Sequence, residues 1–434
     1  MNLFKIFGLI SLIVASASAA PNHHGKSELK VSMNSMKPRD WISIAELQSL
    51  PSNAEDITLQ QLENMSVEEG ESLINKIYHL SKMNHALRPS YVPSPSNVPV
   101  IFMKSNGQHE ETNLSEMAST AKNQAKLSAE EVTIFITGLP ETSPAVAKAN
   151  KKLVEAYMER YMRQQRSMGG DYETDYKQAK TSSEEGSESW REGREISGDL
   201  VIIKLGNTLT NMKRYAQLDI EKTGEMLAKV LIDMHSEMDF PENLHLIGQG
   251  MGAHVAGVAA RKFKRWVGHS LRRITALDPA KWFANDKYYL NGLARGDADF
   301  VDVIHTNTHG LGIRERMGDA DFYVMGPDAI APGANNVVEA SMRATRYFAE
   351  SVRPGMEHNF PAVPAKSMRQ YERKEGSGKR AFMGIDADYD LKGDFMLEVN
   401  AKSPFGKRSP AKKQSTYHSL HQSWQSSGKE GLQY

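Results

Sequence analysis

The chain has 434 residues, carries 53 basic and 53 acidic side chains for a formal net charge of +0, and contains no cysteine. A chain of this length can bury a large core without covalent cross-links. The missing cysteines exclude disulfides, thiol catalysis and thiolate metal sites, and the balanced charge gives no indication of a nucleic-acid partner. No metal ion or other cofactor is predicted.

Residues 1–19 have the pattern of a secretory signal peptide. Lys5 is followed by a mostly apolar stretch from Ile6 to Val14, and Ala17-Ser-Ala19 fits a small-residue cleavage site. The apolar stretch is far shorter than the roughly 20 residues needed to span a bilayer. We therefore expect a secreted chain without a membrane span, the alternative being a retained N-terminal anchor.

Residues 20–98 form a polar N-terminal extension with helical patches such as Thr58–Met65. The proline-rich stretch Pro89–Pro99 predicts an extended linker or edge segment. The main domain is expected to run from residue 99 to residue 406, and residues 407–434 form a polar tail with a small basic cluster.

From residue 99 onwards, predicted strands alternate with predicted helices. Runs of β-branched and apolar residues predict strands, and charged stretches with helical apolar spacing predict helices. This alternation indicates βαβ units and an α/β fold with a mostly parallel central sheet flanked by helices. The predicted strands are Val100–Met103, Val132–Pro140, Asp199–Lys204, Leu244–Ile247, Arg273–Leu277 and Asp299–Ile304, and the predicted helices are Ala147–Gln165, Ile220–Ser236 and Gly252–Phe263.

The segment 167–197 interrupts this alternation. Ser, Gly, Glu and Asp dominate it, and apolar residues nearly vanish. Such a segment cannot bury enough surface to offset the entropy of ordering it. We therefore expect an acidic, disordered insertion that can be removed without unfolding the core.

The most informative motif is Gly248-Gln-Gly-Met-Gly252, which lies between a predicted strand and a predicted helix. This layout is that of the Gly-x-Ser-x-Gly elbow of α/β-hydrolases, whose central serine is the nucleophile. Gly250 stands at the central position and has no oxygen to attack a carbonyl. Asp278 follows a predicted strand, where the acid of a Ser-Asp-His triad would lie.

Three motifs in chain order resemble the pancreatic-type neutral lipase family: His245–Gly257 around the elbow, Arg273–Ala280 and Phe300–Thr306. The resemblance extends to Lys379–Gly406 and covers roughly residues 99–406, apart from the insertion. It implies an α/β-hydrolase fold. The family's cysteines are absent. We expect no long lid, because only residues 333–340 separate Pro332 from Ser341, and no C-terminal β-sandwich, because the chain ends soon after Gly406.

The resemblance places the family's nucleophilic serine on Gly250, its catalytic aspartate on Asp278 and its catalytic histidine on Ser341. Two of the three triad members are therefore replaced, and we expect no catalytic residue and no hydrolase activity. Asp278 is interpreted as a structural carboxylate that holds a loop. Ser341 is the nearest substitute nucleophile, but a serine without a hydrogen-bonded base is a poor one. The histidines near the motifs are interpreted as structural: His245, His254, His305 and His309.

Within this family, the glycine in the elbow, the acidic insertion, the signal peptide and the lack of cysteine resemble the yolk proteins (vitellogenins) of higher flies. The resemblance implies a storage protein that is secreted into haemolymph, taken up by oocytes through an endocytic receptor and kept in yolk granules. It also implies homo- or hetero-oligomers with other yolk proteins.

Two other functions stay open at this point. The first is a carrier that binds lipids or fatty-acylated steroid conjugates in the former acyl pocket, because the elbow is intact in sequence. The alternative to this carrier hypothesis is that side chains have filled the pocket. The second is an active lipase with a relocated triad.

Several residues are candidates for covalent modification in a secreted chain. Tyr172 and Tyr176 lie among acidic residues in the insertion, a context for tyrosine sulfation that also agrees with the resemblance. Serines ahead of acidic residues predict phosphorylation at Ser182, Ser183 and Ser187. The sequons at Asn64 and Asn113 predict N-glycosylation.

Overall fold

The computed structural model describes residues 57–83, 89–104, 107–125, 127, 131–168, 198–237, 244–283, 292–365, 367, 369–370, 373 and 381–407. The predicted signal peptide, nearly all of the predicted insertion and the tail beyond Lys407 lie outside the described residues. The candidate sites Tyr172, Tyr176, Ser182, Ser183 and Ser187 lie outside them as well.

One sheet of eleven strands organises the part of the chain that the structure describes. The strands are β1 (Pro99–Met103), β2 (His109–Asn113), β3 (Glu131–Ile136), β4 (Gly198–Ile203), β5 (Leu244–Gln249), β6 (Arg273–Leu277), β7 (Phe300–His305), β8 (Ala320–Val324), β9 (Pro361–Pro364), β10 (Ala381–Phe382) and β11 (Gly393–Leu397). Their order across the sheet is β10-β9-β11-β8-β7-β6-β5-β3-β4-β1-β2.

The centre of the sheet is parallel, from β4 through β3, β5, β6, β7 and β8 to β11. The strands at both margins are antiparallel. Every residue of β5, β6, β7 and β8 is buried. Strands covered on both faces carry near-continuous apolar runs, and this explains why most of the parallel strands could be predicted.

Helices cover both faces of the sheet. The α-helices are α1 (Leu59–Glu63), α2 (Val67–Met83), α3 (Met117–Thr120), α4 (Pro144–Met168), α5 (Met212–Ala216), α6 (Ile220–Glu237), α7 (Met251–Val267) and α8 (Val337–Val352). On one face α6 packs against α7, and on the other α4 packs against α8. Successive residues of β3 face opposite cores, since Ile134 belongs to the α6–α7 core and Phe135 to the α4–α8 core.

This architecture confirms the predicted α/β fold with a mostly parallel sheet. The six predicted strands correspond to β1 and β3–β7, and the three predicted helices to α4, α6 and α7, with ends that differ by a few residues. Five strands lie outside the predicted set: β2, β8, β9, β10 and β11. No helix in the described ranges is long and apolar enough to cross a membrane.

The N-terminal helices α1 and α2 are packed against the domain. Leu62 of α1 and Ile74 of α2 are fully buried in the same core as α6 and α7. The Glu63 carboxylate accepts hydrogen bonds from the Ser143 hydroxyl at 2.6 Å and the Ala145 N–H at 3.1 Å, just after β3. These contacts place α1 and α2 across the carboxyl ends of the parallel strands, the edge at which α/β proteins form their ligand sites.

Candidate functional site

The elbow between β5 and α7 keeps the backbone of a hydrolase nucleophile turn. Gly250 has φ +54° and ψ −117°, a conformation that only glycine adopts without strain. A Cβ added to Gly250 would have nothing nearer than the Tyr215 Oη at 3.9 Å and the Gly138 Cα at 4.0 Å. A side chain would therefore fit at this turn. The flanking glycines are needed for packing, because a Cβ on Gly248 or Gly252 would overlap neighbouring backbone.

Asp278 lies directly after β6 and is also held in a positive-φ conformation, at φ 47°. Its Oδ1 accepts hydrogen bonds from the N–H groups of Thr306 and Asn307, both at 2.9 Å. The carboxylate thereby fixes the loop that follows β7, as expected for a structural role. Burial raises the pKa of Asp278, while hydrogen bonding from the Ser341 hydroxyl and these two amides opposes the rise.

Ser341 lies in α8, is 2% exposed, and places its hydroxyl beside the Asp278 carboxyl. The second carboxylate oxygen, Oδ2, still makes no hydrogen bond of regular geometry with any described residue. Gly250 is tied to the same segment, since its N–H donates to the Leu277 carbonyl at 3.0 Å and its carbonyl accepts from the Ala280 N–H at 3.2 Å. The fold thus brings together the three positions that the sequence singled out.

Nearby histidines are engaged elsewhere. Both ring nitrogens of His305 are engaged, one with the Ile313 carbonyl at 3.0 Å and the other with the Asp321 carboxylate at 2.9 Å. His254 Nε2 donates to the Ala280 carbonyl at 2.7 Å, and its Nδ1 accepts the Leu293 N–H at 3.2 Å. Burial and Arg273 hold the pKa of His245 well below its usual range.

A series of aromatic side chains connects the elbow to α2. Tyr215 lies closest to Gly250, its ring packs edge-on to Phe283 at 6.1 Å, and Phe283 packs edge-on to Tyr78 of α2 at 5.9 Å. Burial, with a contribution from the Asp278 charge, strongly raises the pKa of Tyr215. A lipid-like ligand that approached the elbow from the side of α2 would meet these rings.

Polar contacts hold α2 against the carboxyl edge of the sheet. Asn75 of α2 donates to the His309 carbonyl at 3.0 Å and accepts from the Lys281 ammonium at 2.9 Å. The Lys281 ammonium also donates to the His309 carbonyl at 2.9 Å, and both side chains are about nine-tenths buried. Because the two bonds of Asn75 join residues more than 200 positions apart, local sequence pattern gave no signal for them.

The backbone groups that would stabilise an oxyanion were not singled out in the sequence. In α/β-hydrolases they are the N–H after the nucleophile and an N–H in the loop after β3. Here those positions are Met251 and Leu139. Gly138 packs so closely on the elbow that a Cβ there would overlap the Gln249 carbonyl. The sequence signal was the Gly138-Leu-Pro140 turn at the end of a predicted strand.

Both candidate glycosylation sites fall within the described residues. Asn64 ends α1 and is exposed. Asn113 ends β2 and is half-buried, and its Oδ1 accepts hydrogen bonds from the Ser115 N–H at 3.0 Å and from the Ser115 hydroxyl. Within the described ranges, no three His, Asp or Glu side chains cluster as metal ligands would.

Comparison with known proteins gives two levels of similarity. A family model described as Lipase matches residues 102–405. The chain is 60% identical to Vitellogenin-1 of Ceratitis capitata, over 98% of each chain, and 53% identical to Vitellogenin-3 of Drosophila melanogaster, over 89% of this chain and 93% of the relative. It is 30% identical to Lipase member H of Xenopus tropicalis, over only 36% of this chain and 34% of that protein.

Proposed function

The chain belongs to the lipase family and, within it, to the yolk proteins (vitellogenins) of flies, and from this membership we propose that it is a secreted, non-catalytic store of embryonic nutrient. In this proposal the protein passes through the haemolymph, is taken up by oocytes through an endocytic receptor, and accumulates in yolk granules. Assembly with itself or with related yolk proteins belongs to the same proposal.

Gly250 is the single observation that carries the non-catalytic part. The turn has the shape of a nucleophile elbow and the space for a side chain, yet it carries no atom that can attack an ester. Ser341 supports the same conclusion, because a hydroxyl beside Asp278 cannot serve as the general base that a histidine would provide. A nutrient store needs no such chemistry.

The series of aromatic side chains beside the elbow favours storage over lipid carriage. A carrier would need room for an acyl chain, and Tyr215 lies beside Gly250 and packs through Phe283 against Tyr78 of α2. An active lipase with a relocated triad is disfavoured by the hydrogen bonds that occupy both nitrogens of His254 and His305. The modifications at Tyr172, Tyr176, Ser182, Ser183, Ser187, Asn64 and Asn113 remain proposals for the secreted protein.

Two measurements test this function. The purified full-length chain should give no turnover above background with short- and long-chain fatty esters. Immunostaining of ovaries and embryos should find the protein in growing oocytes and lose it during embryogenesis. Ester turnover abolished by Ser341→Ala would contradict the non-catalytic part, and absence from oocytes would contradict the storage part.

A further inference from the structure

The last turn of α7 presents a tryptophan to solvent. Trp266 is 78% exposed, about twice the value of Tyr389, the next most exposed large apolar side chain among the described residues at 40%. The residues of α7 from Met251 to Ala260 are all buried, whereas Lys264, Arg265 and Trp266 are exposed in succession. The last turn therefore lies beyond the layer of packed helices.

The two cations that precede Trp266 lack the ion pairs that the cations one turn earlier form. Arg261 pairs with Asp297 at 2.6 Å, and Lys262 reaches Glu225 at 4.0 Å. Lys264 and Arg265 form no ion pair with any residue in the described ranges. Cations at a helix C-terminus are favoured by the helix dipole, which accounts for their position there. The dipole gives no reason for an exposed tryptophan.

We propose that Lys264, Arg265 and Trp266 form a docking surface for a carboxylate-rich protein partner. Tryptophan and arginine are the side chains most enriched among residues that dominate binding energy, and unpaired cations around an aromatic anchor select acidic surfaces. The inference rests on the proposed function, in which the partner is the endocytic receptor of the oocyte.

A protein fits this surface better than a lipid bilayer. Helices that lie in a membrane interface bury a continuous apolar face. Here the exposed apolar surface is a single ring, and the two residues before it in the helix, Lys264 and Arg265, are exposed and charged. One aromatic anchor with flanking cations matches a compact, acidic protein site.

The docking surface is also separate from the elbow. Helix α7 begins at Met251, beside Gly250, and ends at Val267. Its 17 residues span about 25 Å at 1.5 Å per residue. The surface thus lies at the opposite edge of the sheet, where the N-terminal helices do not cover it.

The experiment measures uptake of fluorescently labelled full-length protein by growing oocytes at a concentration below saturation. Trp266→Ala and the double variant Lys264→Glu, Arg265→Glu should each lower uptake about tenfold or more, the effect expected for loss of an interface anchor. The matched control is Lys148→Glu, Lys151→Glu, the same charge reversal at two exposed positions of α4 on the other face of the sheet. The control should be taken up like wild type, and all variants should melt at the wild-type temperature.

The possible failures can be told apart. If wild type and all variants are taken up equally, the docking surface is refuted and the storage function stands. If wild type itself is not taken up, receptor-mediated uptake and the proposed partner are refuted together. Binding to phosphatidylserine vesicles that is lost in Trp266→Ala would assign the surface to membranes and overturn the protein partner.

Discussion

The two edges of the sheet differ in what their buried polar groups do. At the carboxyl edge, Asp278 is buried, and its second oxygen makes no regular hydrogen bond to a described residue. At the amino edge, the Arg273 guanidinium pairs in bidentate fashion with Asp302 at 2.8 and 2.9 Å. It also donates to the carbonyls of Gly384 and Ile385 at 2.7 and 2.6 Å. The first edge carries the three positions matched to a lipase triad, and the second carries a buried ion pair that stabilises the fold.

This contrast agrees with the proposed non-catalytic function. Glycine at the nucleophile position and serine at the histidine position cost the fold little stability. A glycine fits the elbow, and a serine fits beside Asp278. The Arg273–Asp302 pair has no such freedom, because the loss of one partner leaves the other charged and buried. Removing a buried charge should therefore cost much stability at the amino edge and little at the carboxyl edge.

The largest effect is expected for Arg273→Met. The change leaves the Asp302 carboxylate buried and unpaired, and should lower the free energy of unfolding by about 3–5 kcal/mol. The control is Arg272→Met, the same change one residue earlier at an exposed position, which should cost under about 1 kcal/mol. Urea denaturation of both variants provides the measurement. Equal losses would mean that the pair at the amino edge has no special role.

The next effect is expected for Tyr215→Ala. Removing a fully buried ring should lower the free energy of unfolding by about 3 kcal/mol, and it should open space beside Gly250. A fluorescent fatty acid should then bind saturably to the variant at micromolar concentration, but not to wild type. Tyr347→Ala removes a buried ring on the other face of the sheet, and should cost similar stability without creating binding. Saturable binding to wild type would favour the carrier function.

A smaller effect is expected for Gly250→Ser. The positive φ at this turn is strained for serine, so the free energy of unfolding should fall by about 1–3 kcal/mol. No esterase activity should appear, because triad members act as a unit and the base is missing. The double variant Gly250→Ser, Ser341→His supplies the base where Asp278 can orient it, and weak activity is expected there. Activity in the single variant would mean that another histidine already acts as base.

The sequence predicted the parts of this molecule that depend on local pattern. The elbow and Asp278 were found because each follows an apolar strand, and the resemblance added Ser341. Strand β8 was missed because Asp321 interrupts its apolar run, and that charge is acceptable only because His305 and two backbone N–H groups satisfy it. The covering of the elbow by α2 depends on contacts between distant residues, which no local pattern encodes.

The smallest effect, and the sharpest test of the comparison, is expected for Asp278→Asn. Burial raises the folded-state pKa of Asp278 above its unfolded-state value. The ionised carboxylate therefore destabilises the folded protein above the folded-state pKa, and this destabilisation is lost as the pH falls and the carboxylate becomes protonated. Asparagine keeps an acceptor for Thr306 and Asn307 but carries no charge. At neutral pH the variant should be as stable as wild type or more stable, by less than about 1 kcal/mol. The difference should vanish as the pH falls through the unfolded-state pKa near 4.

Asp302→Asn is the matched control at the other edge. It removes the same charge from a site where Arg273 requires it, and should be strongly destabilising at neutral pH. Thermal melts of both variants from pH 4 to pH 8 provide the measurement. If Asp278→Asn loses as much stability as Asp302→Asn, the Asp278 carboxylate is as well compensated as the Arg273–Asp302 pair. The buried carboxylates at the two edges would then contribute equally to stability, contrary to the contrast drawn above.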